Sequence, residues 1–231
     1  MTLLDQTIGN IACEIPGATR IFHQHKLDFC CGGDKSLRDA AQKRGVDTDM
    51  LTEELERLSA KPNGERNWKD APAPETIEYI LARFHERHRE QLPELIRLAQ
   101  RVEHVHGDRP GCPVGLAEHL MTMQQELESH MMKEEQILFP MIIRGYYSST
   151  PGPIGMMRFE HDQHGEALAR MEQLTDDITP PAIACNTWRA LYIGLADLRD
   201  DLMQHIHLEN NALFLNAEQE AAKPLPVCSC G

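Results

Sequence analysis

Aromatic side chains make up only 5% of the 231 residues, which counts against a β-rich fold, since strands favour aromatic and β-branched side chains. No apolar run approaches the roughly 18 residues that cross a bilayer, so no membrane role is expected. The opening string MTLLDQTIGN has neither the basic nor the apolar region of a secretion signal, and a cytoplasmic location is expected. Positive charge is short as well: 23 Lys and Arg against 36 Asp and Glu leave a formal charge of -13. Such a surface repels phosphate backbones, which excludes nucleic acid as a partner. A disulfide framework is also missing. The seven cysteines, at 13, 30, 31, 112, 185, 228 and 230, are odd in number and irregular in spacing. In a reducing compartment such thiols are either buried and inert or kept for redox and metal chemistry.

What is plentiful is histidine, with twelve, and methionine, with eleven. Hydrophobic periodicity predicts an all-α protein: an antiparallel four-helix bundle with a small N-terminal helical domain. The N-terminal domain, residues 1–60, shows helical patterns at Pro16 to His25, Ser36 to Arg44 and Thr48 to Leu58, and contains the string Cys30-Cys31-Gly32-Gly33. About sixty residues make a marginal core. The domain is therefore expected to lean on a partner surface, and a homodimer is compatible with it. The Pro- and Gly-containing stretch 61–74 (KPNGERNWKDAPAP) reads as a linker, 75–220 as the bundle, and 221–231 as a flexible tail. Pro93 and Pro140 fall inside bundle helices, where each removes one backbone hydrogen bond and should bend its helix.

The pattern His-x-x-x-Glu occurs twice, at His130/Glu134 and His205/Glu209, each within a long amphipathic stretch. Positions i and i+4 share one helix face and can aim two side chains at one point. The other two predicted bundle helices place His85 and His161 on their apolar stripes. A lone buried histidine is most simply a hydrogen-bonded core residue, and a buried ionised glutamate is costly. Four histidines and two glutamates on four core stripes resolve both difficulties through a metal. The expected ligands are His85, His130, His161 and His205 as terminal nitrogens, with Glu134 and Glu209 bridging two ions. Nitrogen and oxygen donors without thiolate favour iron or manganese over structural zinc, and imidazole plus carboxylate donated twice from facing helices describes a non-haem, carboxylate-bridged centre of two iron ions. His88, Glu160 and His164 lie close enough in register to support the ligands from behind, whereas His104, His106, His119 and His207 are expected to be solvated.

At these residues the chain resembles a haemerythrin-like domain. More closely it resembles the Repair of Iron Centres family, the YtfE/ScdA-type di-iron proteins, from about residue 3 to about residue 217. The strings that carry the likeness are DFCCGG, HERHREQLPEL, ELESHMMKEEQILFPMI, EHDQHGE and HIHLENNALF, in that order. The resemblance implies a di-iron protein that repairs iron-sulfur clusters damaged by nitrosative or oxidative stress, by donating iron or removing nitric oxide. Damaged iron-sulfur proteins would be its partners, and nitric oxide or peroxide its small ligands. Alternatives are a di-iron enzyme that reduces nitric oxide or peroxide, and an oxygen or redox sensor. Oxygen-carrying haemerythrins place a second histidine four residues after the first on the third helix, where this chain has Gly165. The site should thus have one ligand fewer and be more open, unless His164 takes that place.

Two readings compete for Cys30 and Cys31. One is a compact turn in which cysteine is small filler; the other, which the resemblance supports, is a reactive dithiol that passes on nitrosyl groups or iron. Their position just before Ser36, a good helix N-cap, is expected to lower the thiol pKa values. Cys228 and Cys230 form a Cys-x-Cys on the tail, a weak signal for metal or redox chemistry.

Overall fold

A computed structural model describes residues 2–15, 17–59 and 67–223. Eight helices are present among them and no strand; Thr7 and Ser36 make one isolated antiparallel bridge. The first four are short: α1 (Ile8–Glu14), α2 (Ala18–Gln24), α3 (Leu37–Arg44) and α4 (Thr48–Ser59). Ser36 caps α3 by accepting from the Asp39 amide at 3.1 Å, and Gly45 closes its far end in the left-handed region. Helix α1 has no counterpart among the patterns read from the sequence. Its seven residues, IGNIACE, are too few to display a helical period, and it is held by its Thr7 cap and the burial of Ile8 and Ile11.

The last four helices are long. Helix α5 (73–106) joins Ala73–Ile80 to Glu86–His106 through a π-helical turn, Leu81–His85. Helix α6 (116–143) joins Leu116–Lys133 to Phe139–Ile143 through a second π turn, Glu134–Leu138. Helix α7 is Pro151–Leu174, and α8 (186–221) joins Asn186–Leu208 to Phe214–Ala221 through a third π turn, Glu209–Leu213. Each packs against two neighbours, so the four close in the order α5, α6, α7, α8 and back to α5.

Two apolar layers fix the directions of these helices. One contains Leu92, Leu127, Leu168 and Leu202, the other Phe84, Leu138, Met157 and Leu213. Chain direction from the second layer to the first is forward on α5 and α7 and backward on α6 and α8, which makes the bundle antiparallel up-down-up-down. The first layer is continuous with the side chains of α1 to α4, including Ile11, Phe22, Leu37 and Leu55, so the N-terminal helices share a core with the bundle.

Several expectations are revised. The second half of the expected linker is pinned: Trp68 stacks on Tyr79 at 4.2 Å, and the Lys69 carbonyl accepts from Asn216 at 2.8 Å. Residues 61–66 lie outside the described residues, as do 224–231 with Cys228 and Cys230. Pro93 sits within the α-helical stretch of α5, and that helix's irregularity falls upstream at Leu81–His85. Ile137, three residues after Glu134 and so on the buried stripe of a regular helix, is 53% exposed, while Leu138 and Phe139 are buried. The π turn adds one residue to that helical turn and rotates the residues beyond it away from a regular register.

Leu195 is completely buried on α8, so Leu195→Ala should lower the unfolding free energy of the metal-free protein by about 2–5 kcal/mol in urea denaturation. Ile193, on the exposed face two residues away, should change it by no more than about 0.5 kcal/mol when cut to alanine.

Candidate metal centre

Between the two apolar layers lies a band of polar side chains. His85 and His88 enter it from α5, His130 and Glu134 from α6, His161 and His164 from α7, and His205 and Glu209 from α8. All eight are buried, and Glu134 and Glu209 have no exposed surface at all. Each π turn begins or ends on one of these residues: His85, Glu134 and Glu209.

Six of the eight converge in two groups. His85, His205, Glu134 and Glu209 bring donor atoms within 4.8 Å of one another, and so do His130, His161, Glu134 and Glu209. In the first group the Nε2 atoms of His85 and His205 are 3.1 Å apart, with Glu134 Oε2 3.4 Å from His85 and Glu209 Oε1 3.1 Å from His205. In the second, the Nε2 atoms of His130 and His161 are also 3.1 Å apart, with Glu134 Oε1 3.4 Å from His130 and Glu209 Oε2 3.1 Å from His161. Each glutamate therefore offers one oxygen to each group.

None of those four buried carboxylate oxygens has a well-formed hydrogen bond among the described residues. Leaving an ionised carboxylate dry and unbonded costs several kcal/mol. Paired imidazole lone pairs facing the same point would add repulsion rather than relief. A cation in each group satisfies every one of these atoms, so the donor set fits two metal ions, and its nitrogen and oxygen composition suits iron.

The far sides of three rings are tied down. His85 Nδ1 meets Glu135 Oε1 at 2.8 Å, His130 Nδ1 meets Glu160 Oε2 at 2.9 Å, and His161 Nδ1 meets Asn210 Oδ1 at 2.9 Å. A proton held at Nδ1 leaves Nε2 as a lone pair pointing inward. Arg89 anchors Glu135 at 2.9 Å, and Lys133 pairs with Glu160. His205 Nδ1 has no such partner among the described residues. Glu135 and Asn210 escaped the sequence reading, although the Asn210-Asn211 pair inside an apolar helix was a visible signal.

His88 and His164 stand beside the groups, not in them. His88 lies 5.3 Å from the His205 ring and His164 5.0 Å from the His130 ring, centroid to centroid. Burial pushes His88 down to about 4. Burial, then the neighbouring His130, His161 and His205, push His164 down to about 3. His130 behaves oppositely: burial disfavours its charge, yet Glu134, Glu209 and Glu160 outweigh that and raise it to about 9. Two histidines expected to be solvated are buried instead. His106 stacks on Trp188 with its Nε2 3.3 Å from Cys185 Sγ, and His207 packs edge-on against Phe29 with its Nε2 3.6 Å from Cys13 Sγ.

The Cys30-Cys31 loop lies against α7 and α8. The two sulfurs are 3.8 Å apart, and the Cys31 thiol donates to the His161 carbonyl at 3.5 Å. A Cβ placed on Gly165 would sit 3.6 Å from Cys31 Sγ, so a side chain there starts in contact with this thiol. The expectation of a lowered thiol pKa does not hold for Cys30. Contact with Cys31 and then burial push it well up, with the Asp28 carboxylate adding to the effect. Helix α3 starts only at Leu37, too far along the chain for its dipole to compensate. Asp28, Cys30 and Cys31 nonetheless bring three donor atoms within 4.8 Å of one another.

The family model of the Hemerythrin HHE cation binding domain matches residues 76–215, and ScdA_N, a domain of unknown function (DUF542), matches residues 4–59. The Iron-sulfur cluster repair protein YtfE of Dickeya chrysanthemi (strain Ech1591) is 53% identical over 213 residues, covering 92% of this chain and 96% of that one. The protein of the same name from Yersinia pseudotuberculosis serotype O:1b (strain IP 31758) is 52% identical over 217 residues, covering 94% of this chain and 98% of its own.

His88 and His164 stay neutral in the fold well below their ordinary value of 6.5, so between pH 6.5 and about 4 the unfolded chain binds more protons than the folded one. The metal-free protein should therefore lose stability as the pH falls through that window. Urea midpoints measured from pH 7 to 4.5 should drop, and His88→Leu should make the drop shallower. An equal drop in both proteins would contradict this assignment.

Proposed function

The chain belongs to the family of YtfE iron-sulfur cluster repair proteins, and on that footing we propose that its bundle holds two iron ions and serves damaged iron-sulfur proteins under nitrosative or oxidative stress. The observation that carries this reading is the convergence of four inward-facing imidazoles on two carboxylates whose oxygens have no other partner among the described residues. His85 and His205 would hold one ion and His130 and His161 the other, with Glu134 and Glu209 shared between them. Ferrous iron held by these residues would supply the metal that a broken cluster has lost and could bind nitric oxide.

The residues around it do the rest. Glu135, Glu160 and Asn210 keep protons at the outer ring nitrogens, so that the inner ones remain donors. Arg89 and Lys133 hold the two carboxylates, Glu135 and Glu160, in place. The apolar layers above and below keep bulk water from competing for the ligands. Cys30 and Cys31, beside the His161 carbonyl, would receive iron on its way out, with Asp28 as a third donor. The raised pKa of Cys30 keeps that sulfur protonated until a metal displaces the proton.

Glu134→Leu or Glu209→Leu should cut iron content from two ions to one or none, read by metal analysis; two strongly coupled irons in both variants would refute the bridging roles. The functional test loads the protein with isotopically labelled ferrous iron and incubates it anaerobically with an apo iron-sulfur protein, sulfide and reductant. Label should appear in the client's rebuilt cluster, and Glu209→Leu should abolish the transfer. Label that stays in the bundle while added nitric oxide or peroxide is consumed over many turnovers would move the assignment to an enzyme.

A further inference from the structure

Three of the four converging imidazoles are held from behind, but not by the same chemistry. His85 and His130 face the carboxylates of Glu135 and Glu160, which can only accept. Their outer nitrogens must therefore carry the proton. His161 faces the carboxamide of Asn210, which accepts through Oδ1 and donates through Nδ2. Which end it presents is not decided within the metal centre.

The decision comes from the N-terminal loop. Asn210 Nδ2 donates to the Cys30 carbonyl at 3.1 Å, and a carbonyl can only accept. With Nδ2 so committed, Oδ1 is left facing His161 Nδ1 at 2.9 Å, and the proton is held there. The next residue reinforces the docking: Asn211 Nδ2 donates to the Phe29 carbonyl at 3.3 Å. The fit is close, since a Cβ added to Gly33 would come within 2.6 Å of Asn211 Oδ1 and 2.8 Å of the Phe29 carbonyl. Both asparagines lie in the π turn of α8 that begins at Glu209.

We propose that Asn210 is a positioning residue that makes the metal affinity of the His130/His161 half of the centre conditional on docking of the Cys30-Cys31 loop. The inference rests on the two-ion reading given above. When the loop is seated, Asn210 accepts from His161 and its Nε2 is a donor to metal. When the loop leaves, as it must for its thiols to reach another protein, the freed carboxamide can rotate and offer Nδ2. His161 then loses the Nδ1 proton and takes one at Nε2; the ring stays neutral, but its inward lone pair is gone. Among the described residues the His85/His205 half has no contact with the loop of this kind, and it keeps its affinity. Iron is thus loosened from one half when the dithiol is engaged elsewhere.

The test titrates the metal-free full-length protein anaerobically with Co(II), read by calorimetry and by the visible ligand-field bands, with Cys30 accessibility followed by a thiol reagent. Four proteins are compared: unaltered, Gly33→Ala, Asn210→Asp, and both changes together. Gly33→Ala should expose Cys30 and weaken one of the two equivalents by about tenfold or more, the range lost when a ligand's outer partner is removed. Asn210→Asp should expose Cys30 as well, because a carboxylate cannot donate to its carbonyl. It should nonetheless keep both equivalents tight, because a carboxylate always accepts from His161. In that background Gly33→Ala should have no further effect on metal. Asn211→Ala, which unclamps Phe29 without adding atoms, replaces Gly33→Ala if that variant is poorly folded by circular dichroism.

A loss of metal on loop release that is equally large with Asn210→Asp overturns the inference while leaving the two-ion reading intact. Loop release with no change in either equivalent does the same. Fewer than two equivalents in the unaltered chain overturns both.

Discussion

Two fully buried glutamates, set between apolar layers, are the constraint around which this bundle is organised. Glu134 and Glu209 have no exposed surface, and among the described residues their four oxygens have no well-formed hydrogen bond. A fold cannot hold such charges against several kcal/mol of desolvation each unless positive charge stands in the middle. Each helix of the bundle contributes an imidazole to that middle, and the layers containing Leu127 and Leu138 seal it on α6 as those containing Leu202 and Leu213 seal it on α8. Short connections between successive helices make their directions antiparallel, and each helix brings one polar turn to the same level.

The same requirement accounts for the helix irregularities. A regular α-helix through 130–143 would leave the residues after Glu134 in register with the apolar stripe and put Ile137 inside. The π turn instead exposes Ile137 and buries Leu138 and Phe139 beneath the metal level. Comparable turns occur at His85 and at Glu209. The one at Glu209 also carries Asn210 and Asn211, which bind the N-terminal loop. A small domain with a marginal core of its own thereby shares a core with the bundle and sets its dithiol beside the metal centre.

The metal level was legible in the sequence because His-x-x-x-Glu, written twice on amphipathic helices, has few other physical uses. The pairing of the histidines was not, since helix order around a bundle is a tertiary fact; closure of α8 onto α5 puts His205 with His85. His106 and His207 were read as solvated from their position off the stripe. Both are covered by partners that periodicity does not encode, Trp188 across the bundle and Phe29 from the N-terminal loop. Helix α1 was too short to show a period. The environment of Cys30 was misjudged for the same reason as that of Asn210: both depend on how the loop lies on α8, contacts spanning some 180 residues of chain.

The most direct measurement is an anomalous difference map at the iron absorption edge from crystals of the iron-loaded protein. Two peaks are predicted, one flanked by His85 and His205 and the other by His130 and His161, each reached by an oxygen of both Glu134 and Glu209. A single peak, or iron lodged at Asp28, Cys30 and Cys31 with the buried carboxylates unliganded, would contradict the account.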